Sequence, residues 1–460
     1  MQIPPAAAPS SGPRQAPSAK GLPILGVLPE ILRDPAATFV RIARQHPGAV
    51  VRIAFGPVDA YYLSRPEHIQ HVLQDHWRNY PKGSSMWRPV QRLLGKGLVT
   101  SDGEAWLKNR RRIQHLFTQK SVASFAHVMI DVVERAMDDL ERRLGSTIDI
   151  TSEMTLITQN VIFETVFGTR VDSAMAYHLG DHLAYVLRAL NLRMMLYFLP
   201  DRFPFPGEER LRRSILTIHD ALMRLFQEHE ARGQPDGDLL TLLRHAADPA
   251  TGERMSEREI RDELVTLWVA GNETTAVSLA WLWILLDKHP DVHARARAEV
   301  EEVLGARVPT VDDLERMPYC KMVIRETMRL YSTSWILPRT CVEDDVVDGY
   351  FIPAGATVFA SQFALHRDPS LWERPEEFDP ERFAPERSAG RHRFAYMPFS
   401  AGPRVCLGMA FGLMEAQLIL AMMLQRFRLR FPPGYELRYE AGATLRPRGR
   451  VPVRIERARG

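Results

Sequence analysis

FSAGPRVCLG, residues Phe399 to Gly408, packs two glycines, a proline, an arginine and one of the chain's three cysteines into ten positions. The apolar run MAFGLMEAQLILAMML follows at once. A buried cysteine taken alone is usually an inert small hydrophobe. The surroundings of Cys406 point elsewhere. Gly402 and Gly408 let the backbone turn tightly and approach another group closely. The helix expected from Gly408 onward aims free N–H groups and a positive dipole end at the sulfur. Arg404 lies two residues away. These features favour a thiolate, and a lone cysteine thiolate is one established way of holding haem iron.

The rest of the chain suits such a site. Its 460 residues are 45% hydrophobic and 25% charged, enough for a large core. The length allows two or three domains or one large α-rich one. A net charge of +3 makes no case for nucleic acid. Cys320, Cys341 and Cys406 are too few and too scattered for a disulfide framework or a zinc motif, and a reducing cytoplasm is the simplest setting. Residues 1–21, rich in Pro, Ala and Ser, read as a disordered leader and not as a signal peptide. Residues 22–460 are then one domain. The runs AVSLAWLWILL and MAFGLM fall short of the roughly 18–20 apolar residues of a membrane span, so no transmembrane anchor is expected.

Apolar spacing predicts helices over 151–168, 209–232, 257–287, 291–304, 319–331 and 408–426. Strands are expected in VVRIAF and DAYYLS around Gly56-Pro57, in YFIPAGATVFA, and near ATLRP and VPVRI. The class is mainly α with small β-sheets. Ser256 and Glu259 form a capping-box pattern, and the helix they open runs to Asp287 before His289-Pro290. Some thirty residues would span roughly 45 Å. Its centre, VAGNETTAV, interrupts the apolar pattern, and such interruptions carry a structural cost that usually has a functional reason.

Phe399-x-x-Gly402-x-Arg404-x-Cys406-x-Gly408 resembles the haem-binding signature of the cytochrome P-450 superfamily, the haem-thiolate monooxygenases, and the likeness extends over residues 22–456. It implies a triangular-prism fold with a long helix crossing the haem, haem b ligated through Cys406, and room for the porphyrin at the glycines. Glu326-x-x-Arg329 with Arg382 resembles the family's buried charge network, whose disruption would cost roughly 3–5 kcal/mol. Ala270-Gly271-Asn272-Glu273-Thr274-Thr275 resembles the oxygen-activation segment. There Ala270 and Gly271 would make space for O2, Thr274 would bond back to its helix and hold a water, and Glu273 would feed protons. Trp106, Arg110, Arg339 and Arg404 match positions that face haem carboxylates. Ser332-Thr333 departs from the family's usual Pro-Pro.

The resemblance places substrate contacts at Met86, Trp87, the Leu190–Phe198 stretch (Leu192 and Met195 among them), Ala270, Thr274, Trp335, Ile336 and Ala443. The apolar, Met-rich ALNLRMMLYFLP suits an adaptable lid. The expected substrate is a hydrophobic molecule: fatty acid, terpenoid, steroid or polyketide-like. It would be hydroxylated or epoxidised with O2. Electrons would come from a ferredoxin or flavodoxin docking on Lys108, Arg111, Arg112, Arg391 and Arg393. Two rival readings are a donor-independent haem-thiolate isomerase or peroxygenase, and a non-enzymatic haem-based ligand binder. Neither needs the Glu273-Thr274 pair.

Overall fold

The computed structural model describes residues 12–83, 85–200, 202–233 and 237–458. The helices that build the site are α1 (Gly103–Ile113), α2 (Ile150–Phe167), α3 (Ser173–Met195), α4 (Glu208–Ala231), α5 (Glu257–Lys288), α6 (Pro318–Leu330) and α7 (Met409–Arg426). Five of the six expected helices fall within a residue or two of these, and the sixth, expected over 291–304, forms as Pro290–Leu304. The start of α5 is fixed by the capping box: the Glu259 amide donates to Ser256 Oγ, and the Ser256 amide to Glu259 Oε2 at 2.8 Å. Its end is fixed by Pro290, whose ring disfavours helical geometry at His289.

Helix α5 alone has the length and apolarity of a membrane span among the described residues, but most of it is buried inside the fold. Trp268 and Trp281 are fully covered, and α2 packs along it. That contact explains Gly271. A Cβ there would sit 2.6 Å from Ile162 Cδ1, so the missing side chain admits a neighbouring helix. One turn away, Thr158 on α2 donates to Asn272 Oδ1 at 3.1 Å. Helix α3 runs unbroken through Ala189–Met195, so the expected lid is helical over that part.

The strands needed below are β1 (Val50–Phe55), β2 (Val58–Leu63), β3 (Leu337–Thr340), β4 (Asp345–Val347), β5 (Tyr350–Ile352) and β6 (Thr357–Ala360). The principal sheet has the order β1-β2-β6-β3, with β2 and β6 parallel and the other pairs antiparallel. YFIPAGATVFA therefore supplies strands to two different sheets. Residues 1–11 of the expected leader lie outside the described residues. Residues 12–21 do not form a free leader: the Arg14 amide donates to Gly349 O at 2.7 Å, its guanidinium covers the Tyr350 ring, and the Ala19 amide donates to Arg52 O.

Beneath the cysteine loop the expected charge network is present and almost fully buried. Arg329 donates to both oxygens of Glu326, at 2.7 and 2.8 Å, and Arg382 Nε donates to Glu326 Oε1 at 3.3 Å. The spare guanidinium N–H groups of Arg329 reach the carbonyls of His366, Pro375 and Glu377, which pins the coil between them. His366 carries the connection onward. Its Nδ1 donates to Arg329 O, and its Nε2 accepts from the Met397 amide at 3.2 Å, two residues before Phe399. Burial, reinforced by the Arg329 charge, pushes its pKa down to about 3, so the ring is neutral and can accept that bond. Glu326→Gln would leave two buried guanidiniums without their anion. It is expected to cost about 3–5 kcal/mol in urea denaturation; a loss below about 1 kcal/mol, the range of exposed pairs, would contradict this account.

Candidate active site

The Phe399–Gly408 loop turns sharply enough for the Cys406 amide to donate back to Phe399 O at 2.9 Å. Gly402 has φ +69° and lies so close to the segment before it that a Cβ would stand 1.9 Å from Leu73 O. This glycine therefore seats the loop against the backbone of Leu73 and does not line the cavity, which corrects the expectation that it makes room for a porphyrin. At Gly408 a Cβ would meet open space.

Above the loop lies a cavity of about 500 Å³. Cys406, Phe399, Arg404 and Gly408 line it from the loop, Ala270, Gly271 and Thr274 from α5, and Trp106 and Arg110 from α1. Arg339 enters from β3. Of the expected substrate contacts, Met86, Trp87, Met195, Ala270, Thr274, Trp335, Ile336 and Ala443 face this space. Leu192 does not: it lies on the outer face of α3 and is 38% exposed, while Asn191, Met194 and Met195 turn inward.

The polar atoms of the cavity are unevenly matched. Arg404 donates to Ser101 O at 3.0 Å and pairs with Asp102, but its Nη1 is buried without a partner. Arg339 is buried with a bond from its own Nη1 to Pro338 O, and burial beside Arg404 lowers its pKa to about 10. Arg110 donates to Val405 O at 3.0 Å. Lys82, which the sequence reading missed, also lines the cavity: Nζ donates to Val99 O at 2.9 Å and sits over the Trp87 ring. Burial, then the charges of Arg339 and Arg404, drive its pKa well down. Four cations thus converge on one space where Asp102 is the neighbouring anion. No local sequence pattern marked Lys82, because the β-sheet edge and the 97–102 loop bring its partners to it.

Cys406 opens into the cavity yet lies deep beneath the protein surface. Burial pushes its pKa above the ordinary thiol value, partly offset by the Gly408 amide, Arg110 and Lys82. The expected lowering is therefore outweighed by desolvation in the cavity. A bound cation at the sulfur would reverse the balance. The orphaned Arg404 Nη1, the excess of cations, the open side of Gly408 and an inward-facing thiol together fit a metal complex carrying carboxylates.

On α5 the Thr274 hydroxyl donates to Ala270 O at 2.7 Å, as expected for a back-bonded threonine. Glu273 points away from the cavity and accepts from Thr444 Oγ1 at 3.0 Å. Thr333, within the Ser-Thr departure, lies 2.9 Å from Ser278 Oγ and adds a hydroxyl to the cavity wall. Tyr62 lies buried against Phe39 and takes no part in the lining.

Residues 16–448 match the family model described as Cytochrome P450. The chain belongs to the cytochrome P450 family. It is 35% identical over 434 residues to cyclooctat-9-en-7-ol 5-monooxygenase of Streptomyces melanosporofaciens, covering 93% of each chain. It is 30% identical to pentalenene oxygenase of Streptomyces avermitilis over 94% of this chain and 95% of that one. The crystal structure of the cytochrome P450DA heme domain superposes with a TM-score of 0.88 at 29% identity, over 98% of this chain and 99% of that one. This P450 is a haem-containing oxidoreductase, a monooxygenase that takes O2, a hydrophobic substrate and electrons from a redox partner.

One further group at the cavity wall changes the behaviour of this P450 with pH. Glu263 on α5 is fully buried, and burial pushes its pKa up to about 8 from an ordinary 4.5. Between those values the folded chain keeps a proton that the unfolded chain has released, so stability falls as pH rises, by at most about 1.4 kcal/mol per unit. Glu263→Gln is expected to remove this slope. In urea denaturation the variant should gain on the parent between pH 5 and pH 8, and an unchanged difference would show the carboxyl to be ionised throughout.

Proposed function

We propose that this P450 hydroxylates a terpenoid, with haem b held by Cys406 and by the cation group Lys82, Arg110, Arg339 and Arg404. The observation that carries the reading is the cavity itself: an apolar volume of about 500 Å³ closed at one end by an inward-facing thiol and four cations. Two haem propionates together with Asp102 would set three negative charges against those four positive ones, in a space where an unpaired charge is costly. Bound haem would supply activation of O2, with two electrons from the redox partner and two protons reducing one atom to water while the other enters a C–H bond.

The chain's own residues do the rest. Met86, Met195, Trp335, Ile336 and Ala443 offer a mobile apolar wall to a compact hydrocarbon. Thr274, anchored through its hydroxyl hydrogen to Ala270 O, keeps its oxygen free to accept a hydrogen bond from water beside the reacting centre. Glu273, held by Thr444, lies one residue away and can exchange a proton with that water if it turns inward. The terpenoid substrate is supported by the relatives named for cyclooctat-9-en-7-ol and pentalenene.

The reading extends to the electron donor, a ferredoxin or flavodoxin. For its docking, Arg112 is removed from the expected basic face: it is fully buried, bonded to Asn109, Glu259 and two carbonyls, and ties α1 to the start of α5. Lys108 and Arg111 already face Glu253 and Asp248, and Arg391 lies over Trp372 and Phe383, so exposed Arg393 is left as the main contact. A single domain in the cytoplasm is part of the same reading, supported by three unpaired cysteines.

Cys406→Ser is expected to abolish the thiolate-type spectrum of the reduced carbon-monoxide complex. A variant that kept it would overturn the ligand assignment. Titration of the ferric protein with cyclic terpenes and, in parallel, fatty acids and steroids tests the substrate: the haem band is expected to shift with the terpenes first, and a sharper response to another class would overturn the terpenoid. Thr274→Ala is expected to uncouple electron use from product and to raise the share of electron pairs released as peroxide; unchanged coupling would remove Thr274 from proton handling.

A further inference from the structure

Away from the cavity, His71, His76 and Asp345 bring donor atoms within 4.8 Å of one another. The local backbone explains why. Residues His71–Asp75 form a single π-helical turn, closed by the His76 amide donating to His71 O at 2.8 Å. In an α-helix, residues five apart point in different directions. In the wider π-turn they come into line, and the two imidazoles stack with centroids 4.0 Å apart and planes at 10°. Such turns are rare and recur at functional positions. Asp345, from β4, completes the group across 274 residues of chain: its Oδ2 lies 2.8 Å from His71 Nε2. Tyr80 donates to the same oxygen at 2.7 Å, and the Val346 amide donates to Oδ1, so the carboxylate is held in orientation from both sides.

We propose that His71, His76 and Asp345 form a binding site for a zinc-class divalent cation that clamps the π-turn to strand β4. Two imidazoles and a carboxylate are a donor set suited to zinc, with the remaining position open to water on the side of exposed His76. Zinc bonds of about 2.0–2.1 Å put neighbouring donors about 3.3 Å apart. His71 Nε2 and Asp345 Oδ2, 2.8 Å apart, need to part by about 0.5 Å to reach that spacing, and His76, being exposed, leaves the stack and closes the remaining distance by turning its side chain. The metal takes the place of the hydrogen now between His71 Nε2 and Asp345 Oδ2, and the imidazole carries that proton on Nδ1 as its other neutral tautomer. Tyr80 is the outer partner that fixes the carboxylate.

The site matters for the enzyme because of what the π-turn supports. Leu73 and Gln74, inside the turn, form the surface on which Gly402 of the cysteine loop is seated. A cation joining the turn to β4 stiffens the floor of that loop without entering the cavity.

The test uses the full-length, haem-loaded protein and zinc chloride in isothermal titration. One zinc per chain is expected. His76→Asn and Asp345→Asn are each expected to weaken binding by about tenfold or more. A second histidine pair, His178 and His182 on α3, meets edge to face one turn apart and is the natural competitor. His178→Asn is expected to leave the binding unchanged. Zinc should also raise the thermal transition of the parent and not of His76→Asn. No binding to the parent, full binding by His76→Asn, or loss of binding in His178→Asn would each overturn the site. Binding without a rise in the transition would overturn the clamp.

Discussion

Glu326, buried between Arg329 and Arg382, is the interaction on which the haem end of the molecule depends. Three charges removed from water hold together only as a set, because losing any one strands the others in a low-dielectric interior. Their remaining hydrogen-bonding capacity is spent on backbone carbonyls between His366 and Glu377, a stretch with little regular structure of its own. The neutral ring of His366 then passes that order to Met397 and so to the Phe399–Gly408 loop. A loop that must present one sulfur at a fixed place is thus positioned by electrostatics beneath it, while its far side rests on Leu73 through the missing side chain of Gly402.

The cavity follows the opposite logic. Lys82, Arg339 and Arg404 are buried or nearly so with one neighbouring carboxylate among them, and burial pushes the pKa of each downward. Such a cluster makes physical sense around an anionic ligand, which lowers the free energy of the cations as it binds. The same desolvation that depresses the cations raises Cys406, Glu263 and Glu415. An apolar interior suits the hydrophobic substrate of a P450 and, in the same stroke, disfavours ionisation of these three acids.

Much of the fold is legible in local pattern. The Ser256–Glu259 box and Pro290 delimit α5 because capping and proline chemistry act within one turn of the chain. The spacing of Glu326 and Arg329 on one helix face was readable for the same reason, as was the Thr274 back-bond, which closes within four residues. What escaped involved partners far apart in sequence. Arg112 reads as one of four neighbouring basic residues, yet contacts with Glu253, Arg254 and Glu259 bury it. Leu192 reads as part of an apolar stretch, yet the rotation of α3 turns its neighbours inward instead. Gly402 reads as space for a ligand, while the structure gives its room to the Leu73 carbonyl; Gly271 lines the cavity and also admits Ile162 of a neighbouring helix.

By itself the sequence determined the helical class, the limits of the long central helix and the Glu326–Arg329 pair, since each rests on residues within a turn or two of one another, while the family resemblance supplied Arg382 as their partner and the role of Cys406. Tertiary structure alone decided which basic residues are buried cations and which are surface, which side of α3 meets the substrate space, and whether burial or the helix end controls the thiol. It also decided that His71 and His76 meet an aspartate 274 residues away. Those outcomes depend on desolvation and on contacts between distant segments, and neither is a property of any local stretch of chain.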